Sequence, residues 1–201
     1  VAGENLKAYH RLDWGRQKST FSDDRIPRLE TGAIDFYPNT YYSNLRTKDR
    51  TNYRELENEF GLTGNTKISF YKAYVKQRNG KINYSAIQTI TPDTNAVLTT
   101  IQGTRADNHI FVGGEARLFY QDKYWLTGIG EYQLADNYFL QASAKAQVLE
   151  FTQTRIRQSP SFMEQRVISN HFYWNNDFKT TITDQSKATL QHQFSDRLFL
   201  R

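Results

Sequence analysis

The sequence predicts an all-β fold: an antiparallel meander forming a transmembrane, outer-membrane type of β-barrel, or part of the wall of a larger one. Three observations predict it. The stretch "EARLFYQDKYWLTGIGEYQLADNYFLQASAKAQV" (115–148) alternates between two polar turns, "QDK" and "ADN", spaced like strand ends. Tyrosines stand beside both turns. One face of these strands is too apolar for water, and the other is too polar for a core.

The elements follow in chain order. Leu6, Ala8, Leu12 and Trp14 alternate with Lys7, Tyr9, Arg11 and Asp13, which reads as a strand. In "TNYRELENEFGL", Tyr53, Leu56 and Phe60 match helical spacing, while Leu56, Phe60 and Leu62 match alternation; we read a strand. Thr66 to Gln77 and Lys81 to Ile90 flank "RNG", whose Asn79-Gly80 pair predicts a hairpin turn. Val97 to Gln102 reads as a further strand.

Ile110 to Tyr120 places Ile110, Val112, Gly114, Ala116, Leu118 and Tyr120 on its apolar face, with Glu115 and Arg117 opposite. Tyr124 to Leu134 follows, with Tyr124, Leu126, Gly128, Gly130, Tyr132 and Leu134 on one face. Its other face carries Trp125, Thr127, Ile129, Glu131 and Gln133. Tyr138 to Val148 is the clearest strand. Its alanines would also suit a helix, but strict alternation over a membrane-crossing length favours a strand. Val167 to Trp174 and Phe178 to Thr183 flank "NND", and Lys187 to Phe194 alternates again. The expectation is about eleven strands in a single unit, with no linker or low-complexity tract dividing the 201 residues.

Composition narrows the classes. There is no cysteine, hence no disulfide framework and no thiolate metal site. The net charge of +5 is spread along the chain with acids close to most bases, without the dense basic stripe of a nucleic-acid surface. Aromatics make up 14% of residues, and the Tyr, Thr, Asn and Gln content favours strands and polar loops. The mean hydropathy of −0.75 is low for a two-layer domain. It is compatible with a barrel, in which only alternate strand residues meet lipid. No apolar run is long enough for a transmembrane helix.

Alternation serves a soluble β-sandwich equally well, so the choice rests on the tyrosines and the small residues. Tyr120 and Tyr124 flank one turn, and Tyr132 and Tyr138 the next, at opposite strand ends. Tyr124 and Tyr132 are separated by about 20 Å along a tilted barrel axis, close to the height of an apolar band bordered by aromatic girdles. These four tyrosines are the expected girdle. Gly114, Ala116, Gly128, Gly130, Ala142, Ala144 and Ala146 leave the apolar face thin. A sandwich core wants larger side chains to fill it, whereas lipid tails conform to any surface. Connection lengths suggest an orientation. "RNG", "TRADN", "ADN" and "NND" would be short periplasmic turns, and "TQTRIRQSPSF" a longer outer loop; "YPNTYYSNLRTK" breaks that pattern.

Candidate functional residues lie on the polar face. Lys7, Arg11, Asp13, Glu115, Arg117, Glu131 and Lys145 would line the pore, where mixed charges keep a channel wet and filter solutes. The alternative is lateral ion pairing on a solvated sheet face. His10, His109, His171 and His192 lack any ligand spacing and read as wall or girdle residues, so no metal is expected. Asp23 and Asp24 in "FSDDR" read as a solvated acidic turn. No G-x-S-x-G, P-loop or other catalytic signature occurs, so neither enzyme activity nor a cofactor is expected.

"GGEARLFYQDKYWLTGIGEYQLADNYFLQASAKAQV", with "YYSNLRTKDRTNYRELENEFGL" upstream, resembles the large outer-membrane barrels of the putative porin family of Bacteroidota. The likeness lies in ten-residue alternating strands, Tyr/Asn/Asp turns and a Gly/Ala lipid face, over most of the chain. It implies a bacterial outer-membrane porin that passes small hydrophilic solutes passively. Its partners would be membrane lipid, those solutes, and further copies or subunits of an outer-membrane complex. Such barrels usually end in a terminal aromatic, but this chain ends "DRLFLR", and "VAGENLKAYH" has no signal-peptide pattern. The expectation is therefore an internal portion of a longer barrel. The other readings are a TonB-dependent transporter barrel, a scaffold or plugged barrel in a secretion complex, and a soluble carbohydrate-binding β domain.

Overall fold

The computed structural model describes residues 5–23, 41, 47–90, 97–121, 123–134, 137–195 and 198–200. Its main body is one antiparallel eight-stranded sheet of β1 (Lys7–Asp23), β2 (Thr47–Asn65), β3 (Ser69–Ile90), β4 (Val97–Tyr120), β5 (Tyr124–Gln133), β6 (Tyr138–Ala146), β7 (Leu149–Gln158) and β10 (Thr181–Leu190), paired in that order. Between β7 and β10 lie a short helix α1 (Phe162–Gln165) and the small hairpin β8 (Arg166–Ile168) and β9 (Tyr173–Asn175). A separate hairpin, β11 (His192–Ser195) with β12 (Leu198–Leu200), ends the described chain. Among the described residues β1 and β10 form the two ends of the sheet.

Side-chain period dictates the two faces. Register partners share a face, so Trp14, Leu56, Phe60, Val75, Val112, Leu126, Leu140 and Phe151 fall on one side. These side chains are exposed, Trp14 at 68% and Phe60 at 61%. The other side holds the charges, and Glu59 and Lys76 there are buried. This inverts the arrangement of a water-soluble protein, in which charged groups are the last to be buried.

Strand lengths differ systematically. β5, β6, β7 and β10 have 9–10 residues each, the length that crosses a bilayer. β4 has 24 residues, and its outward apolar run, Ile110 to Tyr120, occupies only one end. Beyond it the outward positions become Asn108, Ala106, Thr104 and Gln102. β1, β2 and β3 are likewise long and turn polar at the same end. The tall part of the sheet therefore stands clear of the apolar band.

Several sequence expectations are corrected here. "RNG" is no hairpin: Asn79 and Gly80 pair mid-strand with Leu56 and Glu55 on one side and Asn108 and Asp107 on the other. "TRADN" likewise lies within β4. "NND" belongs to the β7–β10 connection rather than a turn between sheet strands, and the first seven residues of "TQTRIRQSPSF", Thr152 to Gln158, are β7 itself. The connections at 66–68, 121–123 and 147–148 are short and share one end. "ADN" lies at the other end, with the long 159–180 connection, so the short-turn end is that of "QDK". "TNYRELENEFGL" is strand, paired on both sides. Asp24 and most of "YPNTYYSNLRTK" lie outside the described residues.

Candidate functional site

Lys7, Arg11 and Asp13 on β1, Glu115 and Arg117 on β4, Glu131 on β5 and Lys145 on β6 all occupy the polar face. The structure brings Arg11, Asp13 and Glu131 into cross-strand networks and pairs Glu115 with Arg117 along β4. Arg11 pairs with Asp13 at 2.7 Å and reaches Glu59 at 3.3 Å. Glu59 also accepts from Lys72 Nζ at 2.8 Å and from Tyr9 Oη at 2.7 Å. Glu131 accepts from Lys76 Nζ at 2.7 Å and from Tyr74 Oη at 2.6 Å. Arg78 bonds Glu57 at 2.5 Å and approaches Glu55 at 3.7 Å, and Arg117 bonds Glu115. Lys7 and Lys145 stand on the same face outside these clusters; Lys145 is the register partner of Trp125 and Glu150.

Sequence reasoning missed Glu55, Glu57, Glu59, Lys72, Lys76 and Arg78, which take part in five of the seven ion pairs above. Their signal was present: Lys72, Tyr74, Lys76 and Arg78 alternate with Ala73, Val75 and Gln77. Splitting this strand at "RNG" hid the continuity. Tyrosines complete the lining by lying over glycines of the adjacent strand. Tyr9 covers Gly61, and Tyr74 covers Gly113, where a Cβ would collide with the ring. Glycine is needed at these two positions for the close approach.

The expected girdle tyrosines are register partners, Tyr120 with Tyr124 and Tyr132 with Tyr138. The Tyr120 and Tyr124 rings are 6.2 Å apart. Tyr138 is half-buried and borders the cavity described below. His10 stacks on Phe60 on the apolar face, His109 bonds Gln133, and His171 bonds Thr47; the His192 side chain lies outside the described residues. No group of three His, Asp or Glu among the described residues could hold a metal ion.

The 159–180 connection folds back over the polar face at the tall end of the sheet. Ser161 caps α1 with a reciprocal bond to Glu164. Phe162 then meets Tyr53 edge-on at 6.3 Å and lies under the Arg105 guanidinium at 5.2 Å. Tyr84 Oη donates to the Arg166 carbonyl at 2.8 Å, and Ile168 packs on Ile82 and Tyr84, the most buried apolar cluster described. Burying Ile168 contributes about 2 kcal/mol. The Asn170 N–H donates to both Asp49 oxygens at 3.0 and 3.1 Å, and Asn170 Nδ2 donates to Thr47 at 2.7 Å. Burial raises the Asp49 carboxyl above its usual range, against the pull of the Asn170 N–H and His171. Burial and a bond to Glu55 push the Tyr53 phenol up to about 12.

Between this connection and the sheet lies a cavity of about 1150 Å³. Its walls come from strands as far apart as β1 (Gln17) and β7 (Ile156), so the polar face is concave. Tyr53, Phe111, Phe139 and Phe162 mix there with Arg78, Arg105, Asp107 and Gln133. A concave trough of paired charges, narrowed by a folded segment, is what the arrangement provides.

A family model described as "Putative porin" matches residues 1–198. The chain belongs to the putative porin family. Membership covers nearly the whole sequence and agrees with the exposed apolar face and charged concave face just described. Porin families act in the outer membrane and are typically not enzymes. No curated protein and no solved structure matches the chain.

Proposed function

We propose that this chain builds the wall of a bacterial outer-membrane porin through which small hydrophilic solutes diffuse passively. The observation that carries the reading is the inversion of the sheet: exposed Trp14, Phe60, Leu126 and Leu140 on one face, buried Glu59 and Lys76 on the other. Apolar side chains so displayed fit lipid tails. Charges on the concave face, including the sequence-predicted Lys7, Arg11, Asp13, Glu115, Arg117, Glu131 and Lys145, line the water path. Tyr120, Tyr124, Tyr132 and Tyr138 sit near the lipid–water boundaries.

An open sheet cannot stand in lipid with unpaired backbone groups at its edges. The working unit is therefore a closed barrel, in which the free edges of β1 and β10 pair with each other or with further strands. By connection length the short-turn end at 121–123 faces the periplasm, and the tall end faces outward. The 159–180 connection lies in the path and sets its width.

That docked connection also favours a second reading, a barrel closed by its own segment and serving as a scaffold. Single-channel recording on protein reconstituted into a planar bilayer separates the two. The porin gives stable open conductance in salt solution. Membrane insertion without conductance rejects passive diffusion and leaves the occluded barrel.

A further inference from the structure

On the reading that the apolar face meets lipid, that face changes character along one line. On β1 the apolar residues stop at Trp14, and Arg16 and Lys18 follow. On β2 they stop at Leu56, and Arg54 and Arg50 lie beyond. Register sets Arg16 beside Arg54, and Arg54 beside Lys81, in one row across three strands. This row is one pleat beyond the row of Trp14 and Leu56, and all three cations are exposed.

Directly opposed side chains have Cβ atoms about 5 Å apart, and like charges placed so repel. On the concave face the same difficulty is met by carboxylates on Arg11, Lys72, Lys76 and Arg78. The outward positions of β1 to β5 carry no Asp or Glu among the described residues. Among the described residues Arg16 Nε donates to the neutral Asn52, at 3.3 Å. Three aligned cations with no carboxylate beside them among the described residues call for an anion from outside. Position decides its kind. Leu12, Trp14, Leu56 and Phe60 lie directly below the row and offer an apolar seat for acyl chains. A Trp at this level suits the boundary between tails and headgroups. The matching molecule carries anionic phosphate above and hydrocarbon below.

We propose that Arg16, Arg54 and Lys81 form a binding site for the phosphate headgroups of lipids in the surrounding leaflet. Arginine offers paired N–H donors to phosphate oxygens. Each cation near an anionic membrane contributes on the order of fivefold in affinity.

The test compares the full chain reconstituted in phosphatidylcholine vesicles with the chain in an equal mixture of phosphatidylcholine and phosphatidylglycerol. After gentle detergent extraction, retained lipid is counted by native mass spectrometry. The expected result is a preference for phosphatidylglycerol of at least about tenfold and up to about a hundredfold when all three cations engage the headgroups, lost in R16Q/R54Q/K81Q. Equal retention of the two lipids by the native chain overturns the proposal, and this arm needs no variant to fold. An unchanged preference in the triple variant also overturns it. Inorganic phosphate that displaces phosphatidylglycerol at comparable concentration overturns it in favour of a free-anion site. If the native chain enters neither kind of vesicle, the wall reading itself fails, and this site fails with it.

Discussion

Thr47 and His171 are 124 positions apart in the chain, yet Thr47 Oγ1 and His171 Nε2 lie 2.8 Å apart in a buried contact. The pair fastens the far end of the 159–180 connection to β2, across the polar face. Together with Asn170 and Asp49 it makes the connection part of the interior rather than an outer loop. Asn170→Ala removes the side-chain bond to Thr47 and leaves a buried hydroxyl partly unsatisfied, a loss of about 1–3 kcal/mol. The expected outcome is faster proteolysis within 159–180 and larger single-channel conductance, with the barrel still inserted.

Glu59 is the common acceptor of Tyr9, Arg11 and Lys72. Glu59→Gln leaves two cations beside a neutral amide. Because Arg11 is half-exposed, the stability loss is about 2 kcal/mol, below the figure for a wholly buried pair. Urea unfolding in vesicles measures it. The reversal potential across a salt gradient should shift toward anions, since the variant adds net positive charge to the water path.

Neighbouring positions on β5 should respond oppositely to one substitution. Leu126→Arg places a cation among acyl chains between the Tyr124 boundary and the bilayer midplane, at a cost of about 1–3 kcal/mol, below the midplane figure. Thr127→Arg points it into the trough, where it costs little. Folding yield in vesicles, read from the heat-dependent mobility shift of barrels, distinguishes them. Equal yields would mean the two faces are misassigned.

Gly113 carries the Tyr74 ring, and Tyr74 donates to Glu131. Gly113→Ala forces the ring away, with a loss of about 1–3 kcal/mol from overpacking and the broken bond. Urea unfolding should place this variant below Gly128→Ala, where an added Cβ meets nothing within 4 Å.

Legibility in the sequence follows periodicity. From Ile110 to Val148 each residue meets one environment per face, so alternation marks the strands and their polar sides. The tyrosines at 120/124 and 132/138 could be paired because each pair flanks a short connection. "RNG" misled because Asn-Gly is a hairpin signal only when the chain is free to reverse. Here Gly80 is roofed by Phe162 and Tyr53, each 3.3 Å from where its Cβ would be, and glycine admits the segment above it. The inward fold of 159–180 left no local trace, since its anchors at Thr47, Asp49, Ile82 and Tyr84 are distant in sequence. The buried hub Glu59 read as one acid in a Glu-rich stretch, because only register brings Tyr9, Arg11 and Lys72 to it.

On the proposed reading the two faces of this sheet meet lipid and water respectively. The chain has no native cysteine, so single cysteines at 125 to 131 can be probed without background. In a planar bilayer, a water-soluble charged thiol reagent should modify cysteines at 125, 127, 129 and 131 and reduce conductance, while those at 126, 128 and 130 stay unmodified. Equal modification at both sets, or modification at the odd positions with no change in conductance, would contradict the account.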